Sequence, residues 1–198
     1  MPNDISRETY EALERFAALL LRWNRTVNLI ARKDEPRLWE RHIADSLQLT
    51  ALMQPVPERA IDLGSGAGLP GLVLAIATGV HFDLIEADQR KATFLREAAR
   101  LTGSSALVHA TRIETAQLAP APLITARALA PLPRLLDLAA PLLAPDGICL
   151  FLKGANVQAE LTEAASQWHM TVEILPSQTA PEACILRISD LTRVAPPN

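Results

Sequence analysis

The residues with most chemistry to offer are Asp62-Leu63-Gly64-Ser65-Gly66-Ala67-Gly68-Leu69-Pro70-Gly71, followed by Glu86. Three glycines at alternate positions let a backbone turn sharply and come close to a ligand that side chains would hold off. The segment follows Ala60-Ile61-Asp62-Leu63, which reads as a strand, and runs into a helical pattern from Leu69 to Thr78. Glu86 stands twenty residues beyond Gly66, after a second strand pattern from Phe82 to Ile85. In a nucleotide-binding sheet a carboxylate at that place accepts hydrogen bonds from the two ribose hydroxyls. A structural tight turn with a capping glutamate is the plainer reading. What favours a nucleotide is the full order of strand, glycine loop, helix, strand and acid.

Gly66-Ala67-Gly68-Leu69-Pro70-Gly71 also satisfies the G-x-G-x-x-G pattern of dinucleotide sites. Two residues argue against a pyrophosphate. Pro70 removes a backbone N–H at the start of the helix, where a pyrophosphate would bind. Asp62 adds negative charge beside it, which suits an ammonium or a sulfonium instead. S-adenosylmethionine carries both cations and an adenosine ribose. Asp62 as a buried strand-end cap is the competing assignment, and a NAD-binding oxidoreductase or a non-catalytic nucleotide-binding module the competing function.

The elements that must position these groups follow from periodicity. From Arg7 to Trp23, Tyr10, Leu13, Phe16, Ala17, Leu20 and Trp23 recur at helical spacing. A second helical pattern spans Pro36 to Met53, with Leu38, Ile43, Leu47 and Leu49 as buried positions and Pro36 in its first turn. Asn24 to Asp34 is a polar loop between them, and Pro55 and Pro57 end the helical region. Beyond it, strands at 60–63, 82–85, 106–108, 123–125 and 148–152 alternate with helices at 69–78, 89–101 and 133–143, which predicts a doubly wound α/β sheet. Val157 to Trp168 reads as a last helix, and Thr171 to Leu175 with Cys184 to Ile188 as two joined strands that add an antiparallel edge. The expected fold is thus α/β, Rossmann-like, with a seven-stranded mostly parallel sheet whose last strand is reversed. N-terminal helices over 1–57 pack on a domain spanning 58–198.

The chain has 198 residues, 49% of them hydrophobic, enough for one sizeable core. Nineteen Lys and Arg against 22 Asp and Glu give a net charge of −3, so no overall basic field draws it onto nucleic acid. Residues 22 to 42 are a local exception: Arg22, Arg25, Arg32, Lys33, Arg37 and Arg41 stand against Asp34, Glu35 and Glu40. Cys149 and Cys184 lack the spacing of a metal or redox site and read as buried free thiols in a reducing compartment. Met1-Pro2-Asn3-Asp4 lacks the start of a signal peptide, and no apolar run is long enough to span a bilayer. These features read as a cytoplasmic protein with no membrane partner, and Ala195 to Asn198 as a frayed end.

Trp23-Asn24 with Asn28-Leu29, Arg41-His42-Ile43-Ala44-Asp45-Ser46-Leu47, the loop from Asp62 to Gly71, Arg90-Lys91 before Phe94-Leu95, Arg112-Ile113-Glu114, Thr125-Ala126-Arg127-Ala128 and Lys153-Gly154 occur in this order along nearly the whole chain. In them the sequence resembles the RsmG (GidB) family of bacterial 16S rRNA guanine-N7 methyltransferases. The resemblance implies that Asp62, Gly64, Gly66 and Gly68, with the adjoining Leu69, hold the methionine part of S-adenosyl-L-methionine. It implies that Glu86 binds the ribose, that Arg112, Ile113 and Glu114 flank the adenine, and that Arg127 touches cofactor and faces the methyl-transfer cavity. Three places depart from the family: Ile30 after Asn28-Leu29, Ala126 where a serine is usual, and Glu182-Ala183 where a basic residue is expected.

Guanine N7 has a free lone pair, so such an enzyme needs alignment more than a general base. An arginine can donate to guanine O6 while N7 faces the methyl, and Arg127 is the candidate; pairing with a strand-end carboxylate or a phosphate is the alternative. His42, Asp45 and Ser46 share one helical face and need no catalytic triad to explain them. By the resemblance they close the N-terminal helices over the cofactor loop. Arg25, Arg32, Lys33, Arg41 and Lys153 are the candidate RNA contacts, with Trp23 or Trp39 available to stack on a base. His81, His109 and His169 stand apart, and no metal is expected. The expected partner is 16S rRNA in the small ribosomal subunit, met by a monomer; a small-molecule methyltransferase is the second reading.

Overall fold

The computed structural model describes residues 5–194, so the expectations for Met1 to Asp4 and for Ala195 to Asn198 lie outside the described residues. Helix α1 (Arg7–Asn24) starts at Ser6, whose hydroxyl accepts the Thr9 N–H at 3.1 Å, and buries Leu13, Phe16, Ala17 and Leu20 on one face. Its end is finished by Asn24, whose Oδ1 accepts the N–H groups of Leu29 and Ile30 at 2.8 and 3.0 Å. That single buried amide gives the polar loop its shape.

The second helical region is broken rather than continuous. Arg32–Arg37 is 3₁₀ and contains Pro36, Trp39–Ala44 is a π turn, α2 (Asp45–Leu47) is one short α turn, and Gln48–Leu52 is again 3₁₀. The four expected apolar positions, Leu38, Ile43, Leu47 and Leu49, are all buried. The apolar spacing was therefore sound, while the hydrogen-bond pattern shifts between turns.

The sheet contains β1 (Arg59–Leu63), β2 (His81–Ile85), β3 (Ala106–His109), β4 (Ala121–Arg127), β5 (Leu143–Lys153), β6 (Trp168–Pro176) and β7 (Cys184–Arg193) in the spatial order β3-β2-β1-β4-β5-β7-β6. β1 to β5 are parallel, and β7 runs antiparallel to both of its neighbours. The late strands do not add an edge in sequence order: β7 inserts between β5 and β6, and β6 becomes the edge. Trp168, expected at a helix end, opens β6, since α6 (Val157–Ala165) stops three residues earlier.

Alternate residues of each central strand face two cores. Ala60, Leu123, Leu150 and Leu152 pack with α1, α3 (Gly71–Thr78) and α4 (Gln89–Thr102); Ile61, Leu63, Ala126 and Phe151 pack with α5 (Leu132–Ala139) and α6. α1 lies directly on α4, with Trp23 Nε1 donating to Glu97 at 3.0 Å and the Trp23 ring 5.9 Å from Phe94. The N-terminal helices thus share the core of the α3–α4 face. No described helix is long and apolar enough to cross a membrane.

Candidate cofactor and substrate site

Leu63 is in register with Ile85 on one side and Ala126 on the other, so the loop from Gly64 to Pro70 lies over the carboxyl ends of three adjacent strands. Ligands of doubly wound sheets bind at that edge. Gly64, Gly66 and Gly68 all take left-handed backbone, with φ of 63°, 52° and 82°. Buried Ser65 fastens the loop: its N–H donates to Ile85 O at 3.0 Å, its hydroxyl to Asp62 O at 3.1 Å, and its carbonyl accepts Gly68 N–H at 2.6 Å. A Cβ on Gly66 would meet only the Gly64 carbonyl, at 3.7 Å, so the backbone is open to a ligand there. Glu86 sits under that opening, its Oε2 accepting Gly66 N–H at 2.8 Å and its Oε1 accepting Asp88 N–H at 2.7 Å. Both oxygens keep a lone pair for further donors, as two ribose hydroxyls require.

Asp62 takes the competing assignment. It is fully buried, its Oδ1 accepts the Thr125 hydroxyl at 2.6 Å, and its Oδ2 has no hydrogen-bond partner. The carboxyl group lies under the start of α3, where a Cβ on Gly71 would come within 2.4 Å of Asp62 Cβ. Burial, helped by the nearby Glu86 charge and opposed by the Thr125 bond, pushes its pKa up to about 6. It is turned into the protein as a strand-end cap, not outward toward a ligand. Leu69 also points inward, into the core beside α1 and α4. The residues nevertheless fit S-adenosylmethionine: the Glu86 carboxylate lies under the open backbone at Gly66, a setting that suits ribose hydroxyls and disfavours a pyrophosphate.

Beside Glu86, whose N–H donates to His109 O at 3.0 Å, the chain leaves β3 and forms a 3₁₀ turn, Ile113–Thr115. Ile113 packs partly against the α5 core, Arg112 is exposed, and Glu114 pairs with Arg134 of α5 at 2.5 Å. Of the three residues expected around the adenine, Ile113 offers an apolar wall and Glu114 is occupied by Arg134.

Next to the loop is a cleft of about 370 Å³ lined by Arg41, Asp45, Arg127, Lys153, Asn156 and Thr179 among others, with no glycine-loop residue in its lining. The two sites are neighbours in the sheet: Leu63, just before the loop, is in register with Ala126, just before the cleft residue Arg127. Arg127 ends β4 and points into the cleft. Its Nη2 donates to the Arg41 carbonyl at 3.0 Å, and its Nη1 lies 3.3 Å from Asp45 Oδ2 without forming a hydrogen bond. Burial presses its pKa below the ordinary arginine value, opposed by Asp45. The alternative of carboxylate pairing is thus observed, but the acid comes from the helical run rather than from a strand end.

His42 is buried with neither ring nitrogen hydrogen-bonded; burial first, and then the Arg127 charge, lower its pKa to about 4. Ser46 Oγ donates to His42 O at 2.8 Å, so the three residues form no triad. Lys153, a candidate RNA contact, lines the cleft and is paired: its Nζ lies 2.5 Å from Glu160 Oε2 and 3.1 Å from Ala130 O, with the side chain 9% exposed. Of the basic cluster, Arg22 pairs with Glu97, Arg37 with Glu40, and Arg41 lies 3.5 Å from Asp34. Arg25, Arg32 and Lys33 are exposed and form no ion pair among the described residues. Trp39 stacks on Tyr10 with centroids 5.2 Å apart and Trp23 is held by Glu97, so neither is a free base-stacking surface.

Sequence reasoning did not find Thr125, Gln48, Ser177, Thr179 or Glu160, which complete these groups. The available signal was indirect: acids in apolar stretches, such as Asp45 and Asp62, must find donors when buried. Nothing in the spacing says that Asp45 finds them 132 and 134 residues away.

Comparison with known proteins agrees with this geometry. The family model described as "GidB: rRNA small subunit methyltransferase G" matches residues 9–183. The Ribosomal RNA small subunit methyltransferase G of Granulibacter bethesdensis is 59% identical over 97% of this chain and 90% of its own length. That of Gluconobacter oxydans is 57% identical over 96% and 98%. Among solved structures, the N-methyltransferase NodS from Bradyrhizobium japonicum, crystallised with S-adenosyl-L-homocysteine, superposes with a TM-score of 0.58 at 18% identity, covering 94% of this chain and 98% of its own, which shows the shared fold. With its sheet order, its glycine loop and this match over most of its length, the chain belongs to the GidB family, that of rRNA small subunit methyltransferase G.

Proposed function

We propose that the chain transfers the methyl group of S-adenosylmethionine to N7 of a guanine in 16S rRNA of the small ribosomal subunit, acting as a monomer in the cytoplasm. The observation that supports this most is the placement of Arg127: a half-buried guanidinium, fixed at one nitrogen, in a cleft beside the strand end from which the glycine loop leaves. Glu86 would hold the ribose, the backbone from Gly64 to Gly68 would cradle the methionine part, and Ile113 would line the adenine. When bound, S-adenosylmethionine supplies an electrophilic methyl group on a cationic sulfur. Arg127 lines the cleft and would donate to guanine O6, which orients the base with N7 toward the loop. No side chain has to remove a proton first, because guanine N7 carries a free lone pair.

In this reading residues 1–57 form a helical extension on a methyltransferase domain of residues 58–198, and Arg25, Arg32, Lys33 and Arg41 meet phosphates beside the cleft. With three exposed unpaired cations and a net charge of −3, affinity for free RNA should be weak, and the shaped subunit should be the better substrate. The test is transfer of labelled methyl to small subunits from a strain lacking the gene, with mapping of 7-methylguanosine. One modified guanine in 16S rRNA supports the proposal; transfer to a small molecule and not to subunits or rRNA overturns it.

A further inference from the structure

Arg127 belongs to the sheet, yet every group that holds its guanidinium comes from the N-terminal helical run. The Arg41 carbonyl accepts Arg127 Nη2 at 3.0 Å, in the π turn whose following Asp45 N–H goes to the carbonyls of His42 and Ile43. One turn on, Asp45 presents Oδ2 to Nη1. The other oxygen, Oδ1, is fastened by three neutral donors: Thr179 Oγ1 at 2.5 Å, Gln48 Nε2 at 2.8 Å and, at the limit of a hydrogen bond, Ser177 Oγ at 3.5 Å. Ser177 and Thr179 lie in the β6–β7 loop, to which Gln48 Oε1 is also bound by Gln178 N–H at 2.9 Å.

A carboxylate gripped at one oxygen cannot rotate, so its second oxygen keeps a fixed direction. That direction is toward Arg127, and the contact is ionic, without a directed hydrogen bond, to an Nη1 that is itself buried. We propose that Asp45 is a positioning residue: it holds Arg127 in place at the cleft wall, balances its charge, and joins the N-terminal helical run to the β6–β7 loop across the substrate cleft. This rests on Arg127 as the group that faces the guanine.

The test is a double-mutant cycle of Asp45→Asn and Arg127→Ala, scored by kcat and KM for small subunits at saturating S-adenosylmethionine, by S-adenosylhomocysteine affinity and by thermal stability. Arg127→Ala is expected to lower kcat/KM on the order of a hundredfold, the usual consequence of a misplaced substrate, and Asp45→Asn at least about tenfold, chiefly in kcat. Cofactor affinity should stay within about twofold in both, and the double variant should be no worse than Arg127→Ala. Thr179→Val, which removes a donor to Oδ1 and leaves the charges alone, should give a smaller loss that likewise disappears in the Arg127→Ala background. Independent, multiplying losses overturn the proposal, as does an Asp45→Asn enzyme with wild-type kcat, or one whose loss follows its melting temperature or cofactor affinity. A separate readout needs no turnover: in the arginine side-chain nitrogen spectrum of the S-adenosylhomocysteine complex, the anchored Arg127 should give resolved Nη protons that average in Asp45→Asn. Failure of the wild type to methylate subunits or rRNA would sink the proposed function, while this spectrum would still decide the role of Asp45; an unchanged spectrum overturns it.

Discussion

Replacing Gly71 with alanine should destabilise the protein, although alanine is the better helix former. Gly71 opens α3 and does not have a left-handed backbone, so on intrinsic propensity Gly71→Ala would gain up to about 1 kcal/mol. The structure predicts the opposite sign. The added Cβ would lie 2.4 Å from Asp62 Cβ and 2.6 Å from Asp62 Cγ, and neither can move away cheaply because Asp62 is fully buried and bonded to Thr125. Overpacking of this kind costs about 1–3 kcal/mol. If the Asp62–Thr125 bond breaks in relieving it, a buried polar group left unpaired adds about 1–3 kcal/mol. After the propensity gain, a net loss of about 3 kcal/mol corresponds to a drop of roughly 6–12 °C in melting temperature for a chain of this size. Far-ultraviolet circular dichroism on heating, with urea unfolding as a second measure, reads this directly. Gly79→Ala is the control: its φ of +72° makes alanine strained, but nothing lies within 4 Å of the new Cβ, so about 1–2 kcal/mol is expected. A Gly71→Ala protein that melts above wild type, or is less affected than Gly79→Ala, would refute the close packing of Asp62 beneath α3.

Glu86→Gln should weaken S-adenosylhomocysteine binding about 10- to 100-fold by calorimetry, because an amide oxygen cannot accept from both Gly66 and Asp88 and the charge that strengthens the ribose bonds is gone. Unchanged affinity would place the ribose elsewhere. Asp62→Asn should change the pH dependence of stability. The folded pKa of about 6 lies above the unfolded value near 3.8, so the contribution of Asp62 is full below pH 3.8 and is lost as pH rises through 6. Wild type should therefore fall relative to the variant by about 2 kcal/mol between pH 4 and 7, as read by urea titrations; a parallel pair of curves would contradict the buried carboxyl. Exchanging Arg25, Arg32 and Lys33 for glutamine should lower the slope of log affinity for small subunits against log salt by about 2–3, with little change in kcat; an unaltered slope would remove this patch from the RNA path.

Those parts of the site that lie within one strand–loop–helix–strand unit were legible before any coordinates. The glycine loop and Glu86 are twenty residues apart and joined by elements whose lengths set their geometry, so order along the chain stood in for position in space. The role of Asp62 was not settled in this way, because open loop contact and buried cap differ only in which way one side chain turns. The hydrogen-bond partner of Asp62, Thr125, lies 63 residues on, beyond the reach of local spacing. Asp45 and Arg127 were both visible as motif residues, yet their pairing depends on how a π turn packs against a strand end, and apolar spacing cannot distinguish a π turn from an α turn. The partner of Lys153 was hidden for a related reason: Glu160 comes from α6, and spacing does not say that it meets this strand end. The place of β7 was hidden because two apolar strands joined by a loop fit an ordered edge and an insertion equally well.

That insertion governs when the protein can become an enzyme. A chain made from its N-terminus can assemble β1 to β5 with their helices while its last residues are still being synthesised, but β6 has no place in the sheet until β7 supplies one. Until then β5 is an unprotected apolar edge, and the loop that brings Ser177 and Thr179 to Asp45 has no fixed ends. Half-made chains therefore have a cofactor loop without a finished substrate cleft, and a frameshift that alters only residues 184–193 should abolish activity as completely as one in the glycine loop.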